Sequence, residues 1–211
     1  HGVDVVVHAA ALKQVPACEY NPMEAVKTNI FGTSNVVEAA LGAGVERLVA
    51  ISTDKAVSPA GIMGASKRLA GILVRDAGRR TGRAFLVVRF GNVLDSRGGV
   101  VSVFERQIRA GGPLTITHPG MTRFFMTVSE AVHLVLAAGG IGRGGELYVL
   151  DMGRPVRIVD LAGDLIRRSG LTAEQMPIVF TGVRPGEKLE EALWERGALV
   201  EPTEQEHVLR V

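Results

Sequence analysis

The segment Ser52-Thr53-Asp54-Lys55 follows the apolar run RLVAI and sets two hydroxyls, a carboxylate and an amine side by side. Those groups suit acid–base chemistry: a hydroxyl can bind or relay, while a carboxyl and an amine give and take protons. Lys67 closes the same stretch, STDKAVSPAGIMGASK, and its amine could reach back to a ribose or lower a neighbour's pKa. Spacing alone leaves a plainer alternative open, in which Asp54 and Lys55 form a surface ion pair and Lys67 is a solvated helix residue.

Other chemistries find little support. The five histidines are scattered, without H-x-x-x-H or C-x-x-C, so no metal site is expected. Cys18 is the single cysteine, which excludes an internal disulfide and fits a reducing compartment. The net charge of +2 is spread among interspersed acids and bases, with no basic stripe for nucleic acid. Gly140, Gly142 and Gly145 satisfy G-x-G-x-x-G, but that fingerprint must follow a strand and open a helix. Here a helix is predicted before it and a strand after it, so it reads as a glycine loop. No apolar run approaches the roughly 20 residues of a membrane helix, and no membrane contact by this chain is expected.

A sheet must hold the reactive groups, and the first part of the chain reads as one. VDVVVHAAA (Val3 to Ala11) is short and valine-rich and predicts a strand buried on both faces. Asn21, Pro22 and Glu24 look like an N-cap, a first-turn proline and a capping glutamate for a helix running to Gly44. Strands follow at Arg47–Ser52 and Phe85–Phe90, with a helix from about Met63 to Arg80 between them and Gly82 past its end. This alternation is the signature of a parallel α/β sheet with right-handed crossovers. In such a sheet the carboxyl ends of strands border the ligand crevice, which is where Ser52 to Lys55 fall.

Beyond Asn92 the texture changes. A helix is predicted from about Val100 to Arg109, a strand at Leu114–Thr117, and a helix from about Ser129 to Ala138 with Ser129 as its cap. Strand Glu146–Leu150, helix Ile158–Ser169, strand Pro177–Phe180 and a short helix near Leu189–Trp194 follow. The last dozen residues are polar and read as a loose tail. With 211 residues and 46% apolar content, the chain can hold one core plus a lobe. It opens on His1 and Gly2 and enters an apolar run at once, which predicts a piece of a longer protein.

Five segments carry a family resemblance: HAAALKQVPACEYNPMEAVKTNIFGTSNVVEAA, ISTDKAVSPAGIMGASKR, RFGNVLDSRGGVV, MTRFFMTVSEAV and GVRPGEKLEE. Together they resemble the polysaccharide-biosynthesis UDP-N-acetylglucosamine 4,6-dehydratases, extended short-chain dehydrogenases/reductases, from about Val3 to Trp194. The resemblance implies a truncated Rossmann-like sheet with the catalytic segment over residues 1–95. It implies a smaller, mainly sugar-nucleotide-binding α/β lobe over 96–211, with some elements returning to the core. The implied reaction removes water across carbons 5 and 6 of a UDP-sugar after transient oxidation at carbon 4 by NADP or NAD. Lys55 would then be the carbon 5 base, Asp54 the acid, and Thr53 a hydrogen-bond donor to the carbon 4 oxygen. Ala9, Ala10, Ala11, Lys13, Asn29, Ser52 and Lys67 match positions beside the cofactor. Asn92, Arg123, Arg184 and Glu187 match positions around the UDP-sugar, where arginine suits a diphosphate.

Most of the superfamily carries Y-x-x-x-K where this chain has Met63-Gly64-Ala65-Ser66-Lys67. A thioether cannot exchange a proton. Methionine here resembles the long, membrane-linked branch of the family and leaves open whether Lys55, Thr53 through a relay, or water takes the carbon 4 hydroxyl proton. The family's opening strands and Gly-rich turn have no counterpart before Val3, so weak or absent cofactor binding by this chain alone is expected. Three functions compete: a 4,6-dehydratase, a sugar-nucleotide epimerase or reductase, and a non-catalytic sugar-nucleotide module. A cytoplasmic location is expected, the parent protein being anchored at the inner membrane face. A homo-oligomer is expected too, built on the Val3–Ala11 strand as an open edge.

Overall fold

The structure is a computed structural model that describes residues 2–96 and 98–211; His1, and Arg97 of the RFGNVLDSRGGVV segment, lie outside the described residues. β1 (Val5–His8) leads through a loop into α1 (Val15–Tyr20) and α2 (Pro22–Ala25). Val26–Phe31 then winds as a π-helical turn before α3 (Gly32–Gly42). The expected single helix is therefore interrupted, and the wider turn turns Asn29 fully inward. Asn21 heads α2, but its side chain donates back to the Ala17 carbonyl at 3.2 Å instead of capping. β2 (Arg47–Thr53) ends in a 3₁₀ turn, Asp54–Ala56, followed by α4 (Ile62–Thr81) and β3 (Ala84–Phe90). Gly82 closes α4 at φ +69°, a left-handed conformation that glycine adopts without steric cost.

The second part runs through β4 (Asn92–Val93), α5 (Val100–Arg109), β5 (Leu114–Ile116), β6 (Thr122–Arg123) and β7 (Phe125–Met126). α6 (Val128–Ile141), β8 (Leu147–Leu150), β9 (Val156–Arg157), α7 (Ile158–Arg168) and β10 (Ile178–Phe180) follow, then β11 (Glu201–Pro202) and β12 (Val208–Arg210). Thr127, not Ser129, caps α6: it forms a reciprocal capping box with Glu130, whose carboxyl these bonds hold below its ordinary pKa. The glycine loop before β8 follows a helix and precedes a strand, the reverse of what the dinucleotide fingerprint needs.

The main sheet has the order β1-β2-β3-β8-β12-β11. β1, β2, β3 and β8 are parallel, and β12 and β11 close the far edge antiparallel. α3 and α4 cover one face, where Leu48, Ala50, Phe85 and Val87 meet Val37, Val74 and Ala77. α6 covers the other, against Val49, Leu86, Val88 and Leu150. A separate core of Phe104, Leu114, Ile116, Ile158, Ala162 and Ile166 joins α5, α7 and the β5–β10 pair. α6, β8, β11 and β12 thus belong with the first sheet and its core.

Three expectations need correction. Residues 201–210 are not a loose tail: β12 pairs with β8, and Val208 is buried. Residues 188–195 form no helix, because their carbonyls bond to other elements: Leu189 O accepts from Thr122 N at 3.0 Å, and Leu193 O from Arg89 at 3.0 Å. β1 is shorter than expected and is not buried on both faces; it lies at the sheet edge with Val5 and Val7 half exposed. Among the described residues, no helix is long and apolar enough to cross a membrane.

Candidate active site

β2 delivers Thr53 to the end of the sheet, and the tight turn after it places Asp54 and Lys55. Thr53 Oγ1 accepts from Lys55 N at 3.4 Å and donates to Asp54 Oδ1 at 2.9 Å. Lys55 Nζ donates to the same Oδ1 at 2.9 Å and to Asn92 Oδ1 at 3.2 Å. Asp54 is fully buried, and its second oxygen, Oδ2, has no hydrogen-bond partner. A buried carboxylate oxygen left unpaired costs free energy, so a site that keeps one is a candidate for chemistry. Asp54 and Lys55 are therefore not a surface ion pair.

Two glycines make room for this centre. A Cβ at Gly91 would lie 2.9 Å from Phe124 Cβ and 3.0 Å from Asp54 Oδ2. One at Gly64, the second residue of the M-G-A-S-K stretch, would collide with the Lys55 carbonyl. α4 thus lies backbone-to-backbone against the Asp54–Ala56 turn.

Two clefts meet at Lys55 and Asn92. One, of about 360 Å³, is walled by Ala9, Ala11, Ser52, Thr53, Met63 and Lys67, among others. The other, of about 300 Å³, has Arg123, Arg184, Glu187 and Glu191 in its wall. Lys13 borders both. Burial pulls the Lys67 amine down to about 8. His8, behind it, is lowered by burial first and then by the Lys67 charge. Met63 is buried beside Cys18 and Ala25, its side chain filling the floor of the first cleft.

Not every expected residue reaches a cleft. Ala10 is exposed and in neither wall. Asn29 lies beneath: its amide bonds both Leu12 N (2.8 Å) and Leu12 O (3.0 Å) and donates to Ser66 Oγ at 2.9 Å. It ties the loop after β1 to α4. Arg123 is buried and donates to the carbonyls of Thr122, Lys188 and Leu189, holding the 188–195 strap. Sequence reasoning passed over Glu191, whose side chain is 2% exposed and lies beside Lys55. The doubled glutamate closing GVRPGEKLEE was the available signal.

Fold and site together define a Rossmann-like α/β protein of the short-chain dehydrogenase/reductase kind. The chain belongs to the family described as polysaccharide biosynthesis protein, whose model matches residues 1–211. It is 58% identical over 189 residues to the probable polysaccharide biosynthesis protein EpsC of Bacillus subtilis, covering 90% of this chain and 32% of EpsC. It is 44% identical over 196 residues to a UDP-glucose 4-epimerase of Rickettsia typhi, covering 92% of this chain and 56% of that protein. The chain thus spans about a third of EpsC's length. Pen from Bacillus thuringiensis superposes with a TM-score of 0.90 at 36% identity, over 100% of this chain and 66% of Pen. DesIV, a dTDP-glucose 4,6-dehydratase of Streptomyces venezuelae solved with NAD and TYD bound, shares the fold at a TM-score of 0.82 and 24% identity, over 90% of this chain and 64% of DesIV.

Proposed function

We propose that this chain is the catalytic and substrate-binding portion of a UDP-N-acetylglucosamine-type 4,6-dehydratase. The observation that carries the reading is the buried Asp54, bridged by one oxygen to Thr53 and to Lys55, the residue at which two clefts meet.

A nicotinamide cofactor fits the first cleft. Ala9 and Ala11 offer small walls, and Lys67 presents an amine. When bound there, NADP or NAD would supply reversible hydride acceptance at carbon 4 and return at carbon 6. The second cleft suits the UDP part: Arg184 can face the diphosphate and Glu187 can accept from ribose hydroxyls.

The protons balance within three residues. The carbon 4 hydroxyl proton passes through Thr53 to Asp54 along the 2.9 Å bond. This bond favours the Thr53 relay over direct transfer to Lys55 or to water. Lys55 removes the carbon 5 proton. Asp54 gives a proton to the departing carbon 6 hydroxyl, which leaves as water. Lys55 then returns its proton to carbon 5. The sequence starts and ends with Asp54 as carboxylate and Lys55 as free amine, so each group is back in its first state after one turnover.

The similarity to a UDP-glucose 4-epimerase favours one competing reading, interconversion at carbon 4. That reaction needs no carboxyl–amine pair. The full-length protein, given UDP-N-acetylglucosamine and NADP or NAD, is expected to yield a 4-keto-6-deoxy sugar with deuterium from heavy water at carbon 5. Formation of the carbon 4 epimer alone would replace this reading with the epimerase. No turnover of any UDP-sugar would leave a binding module.

A further inference from the structure

The strap formed by residues 188–195 crosses directly over the catalytic turn. Arg123 holds its start through the Lys188 and Leu189 carbonyls. Lys188 Nζ donates to Val57 O at 2.8 Å, just past the turn. Arg89 binds the Leu193 carbonyl. At the far end, the Glu195 carboxylate accepts from Ser58 Oγ at 2.6 Å and pairs with Arg68 of α4 at 2.8 Å. The strap is therefore clamped on both sides of Glu191.

Within that clamp Glu191 carries a carboxylate with 2% exposure. Its Oε2 lies 2.7 Å from Lys188 Nζ, an ion pair whose angle falls outside hydrogen-bond geometry. Its Oε1 lies 3.8 Å from Lys55 Nζ. Burying a charge is costly unless it is paired, so a carboxylate kept here is held against two amines for a reason of position or charge.

We propose that Glu191 is a positioning residue for Lys55. The inference rests on the dehydratase reading for its kinetic consequence, though not for its structural one. A lysine amine swings on a long flexible stem, and Asp54 Oδ1 also serves Thr53. While Asp54 holds the carbon 4 proton and Lys55 turns to carbon 5, Asn92 and Glu191 are the two remaining oxygen groups close to the amine. Glu191 is the charged one of these, and it is fixed by Lys188 and the clamped strap.

Two measurements on the full-length protein test this. The first is competitive labelling of lysines by acetic anhydride, read by mass spectrometry without substrate. An amine held among Asp54, Asn92 and Glu191 with 20% of its side chain exposed is shielded from the reagent, and releasing it exposes it. Glu191→Gln is expected to raise Lys55 labelling at least threefold, with Lys13 labelling unchanged; equal labelling of Lys55 in both proteins would overturn the proposal. The second is steady-state turnover. Misplacing a catalytic group by about 1 Å costs roughly 100-fold, so Glu191→Gln should lower kcat by about 10- to 100-fold with KM nearly constant. Glu191→Asp, which keeps the charge, should recover part of that loss. A fall in melting temperature accompanied by matched changes in kcat, KM and the labelling of both lysines would show a merely structural role and refute the assignment. Should the wild type form no 4-keto product, the dehydratase reading fails, and the labelling still decides the role of Glu191.

Discussion

Glu19 Oε1 accepts a hydrogen bond from Ile62 N at 2.6 Å, so a carboxylate from α1 caps the helix that carries Met63 and Lys67. Gly61 stands at the N-cap and has no side chain to do so. The same carboxylate fills the space that a Cβ on Gly61 or Gly186 would need. One side chain therefore joins α1, the head of α4 and the R-P-G-E-K loop. Losing a helix cap costs about 0.5–2 kcal/mol. Glu19→Ala should lower stability by that amount in denaturant titration. Its KM for the UDP-sugar should rise as well, because Gly186 borders the second cleft. A variant with unchanged stability would remove the cap from this account.

Asp54→Asn and Lys55→Ala should each leave the fold intact and suppress product formation. Loss of one general acid or base typically costs on the order of 100- to 10,000-fold in rate. Circular dichroism and product assays on the two variants check this. Near-normal turnover in either would take that residue out of the proton route.

Met63→Leu should be mild. The methionine packs against Cys18, Ala25, Val15 and Ile62, and a volume-conserving core swap usually costs under about 1.5 kcal/mol. Turnover within a few-fold of wild type is expected. A large loss in rate at normal stability would give the thioether a part in the reaction.

Lys67 makes stability depend on pH in a defined window. Burial lowers its amine to about 8 from an ordinary 10.5. Between those values the unfolded chain binds more protons than the folded one, so stability rises with pH across them. Below pH 8 the amine is charged in both states and its burial is fully felt. Lys67→Met should therefore melt higher than wild type at pH 7, and the gap should shrink as pH climbs from about 8 towards 10.5. A gap independent of pH would contradict the sign.

β1 leaves Val5 and Val7 at 52% and 50% exposure on an open edge. Apolar edges recruit other chains. The 211-residue chain, expressed alone, should self-associate in light scattering over a concentration series, and lysine at both positions should reduce it. A strict monomer at every concentration would count against the exposed edge being sticky.

Elements with their own periodicity were legible in the sequence. α5 spans Val100–Arg109 as expected, and Gly82 marks the end of α4. The site was legible through its motifs: Thr53, Asp54, Lys55 and Asn92 do meet. What failed depended on distant partners. β12 is three residues long, too short to alternate visibly, and becomes a strand because β8 has a free edge. The strap reads as helical from 189 to 194, but Arg89, Thr122 and Arg123 take up carbonyls that a helix would use. Glu191 was missed for the same reason, since only the folded strap brings it to Lys55.

The bracing of the Asp54–Ala56 turn also bears on the order in which the chain assembles. Ser58 and Glu195 are 137 residues apart in sequence, yet one carboxylate joins them. A ribosome releases the turn long before the strap that clamps it, and contacts between distant residues form late because loop closure costs entropy. A nascent chain halted before the strap would carry Thr53, Asp54 and Lys55 without the clamp across them. The turn thus gains its second anchor only after the strap has emerged.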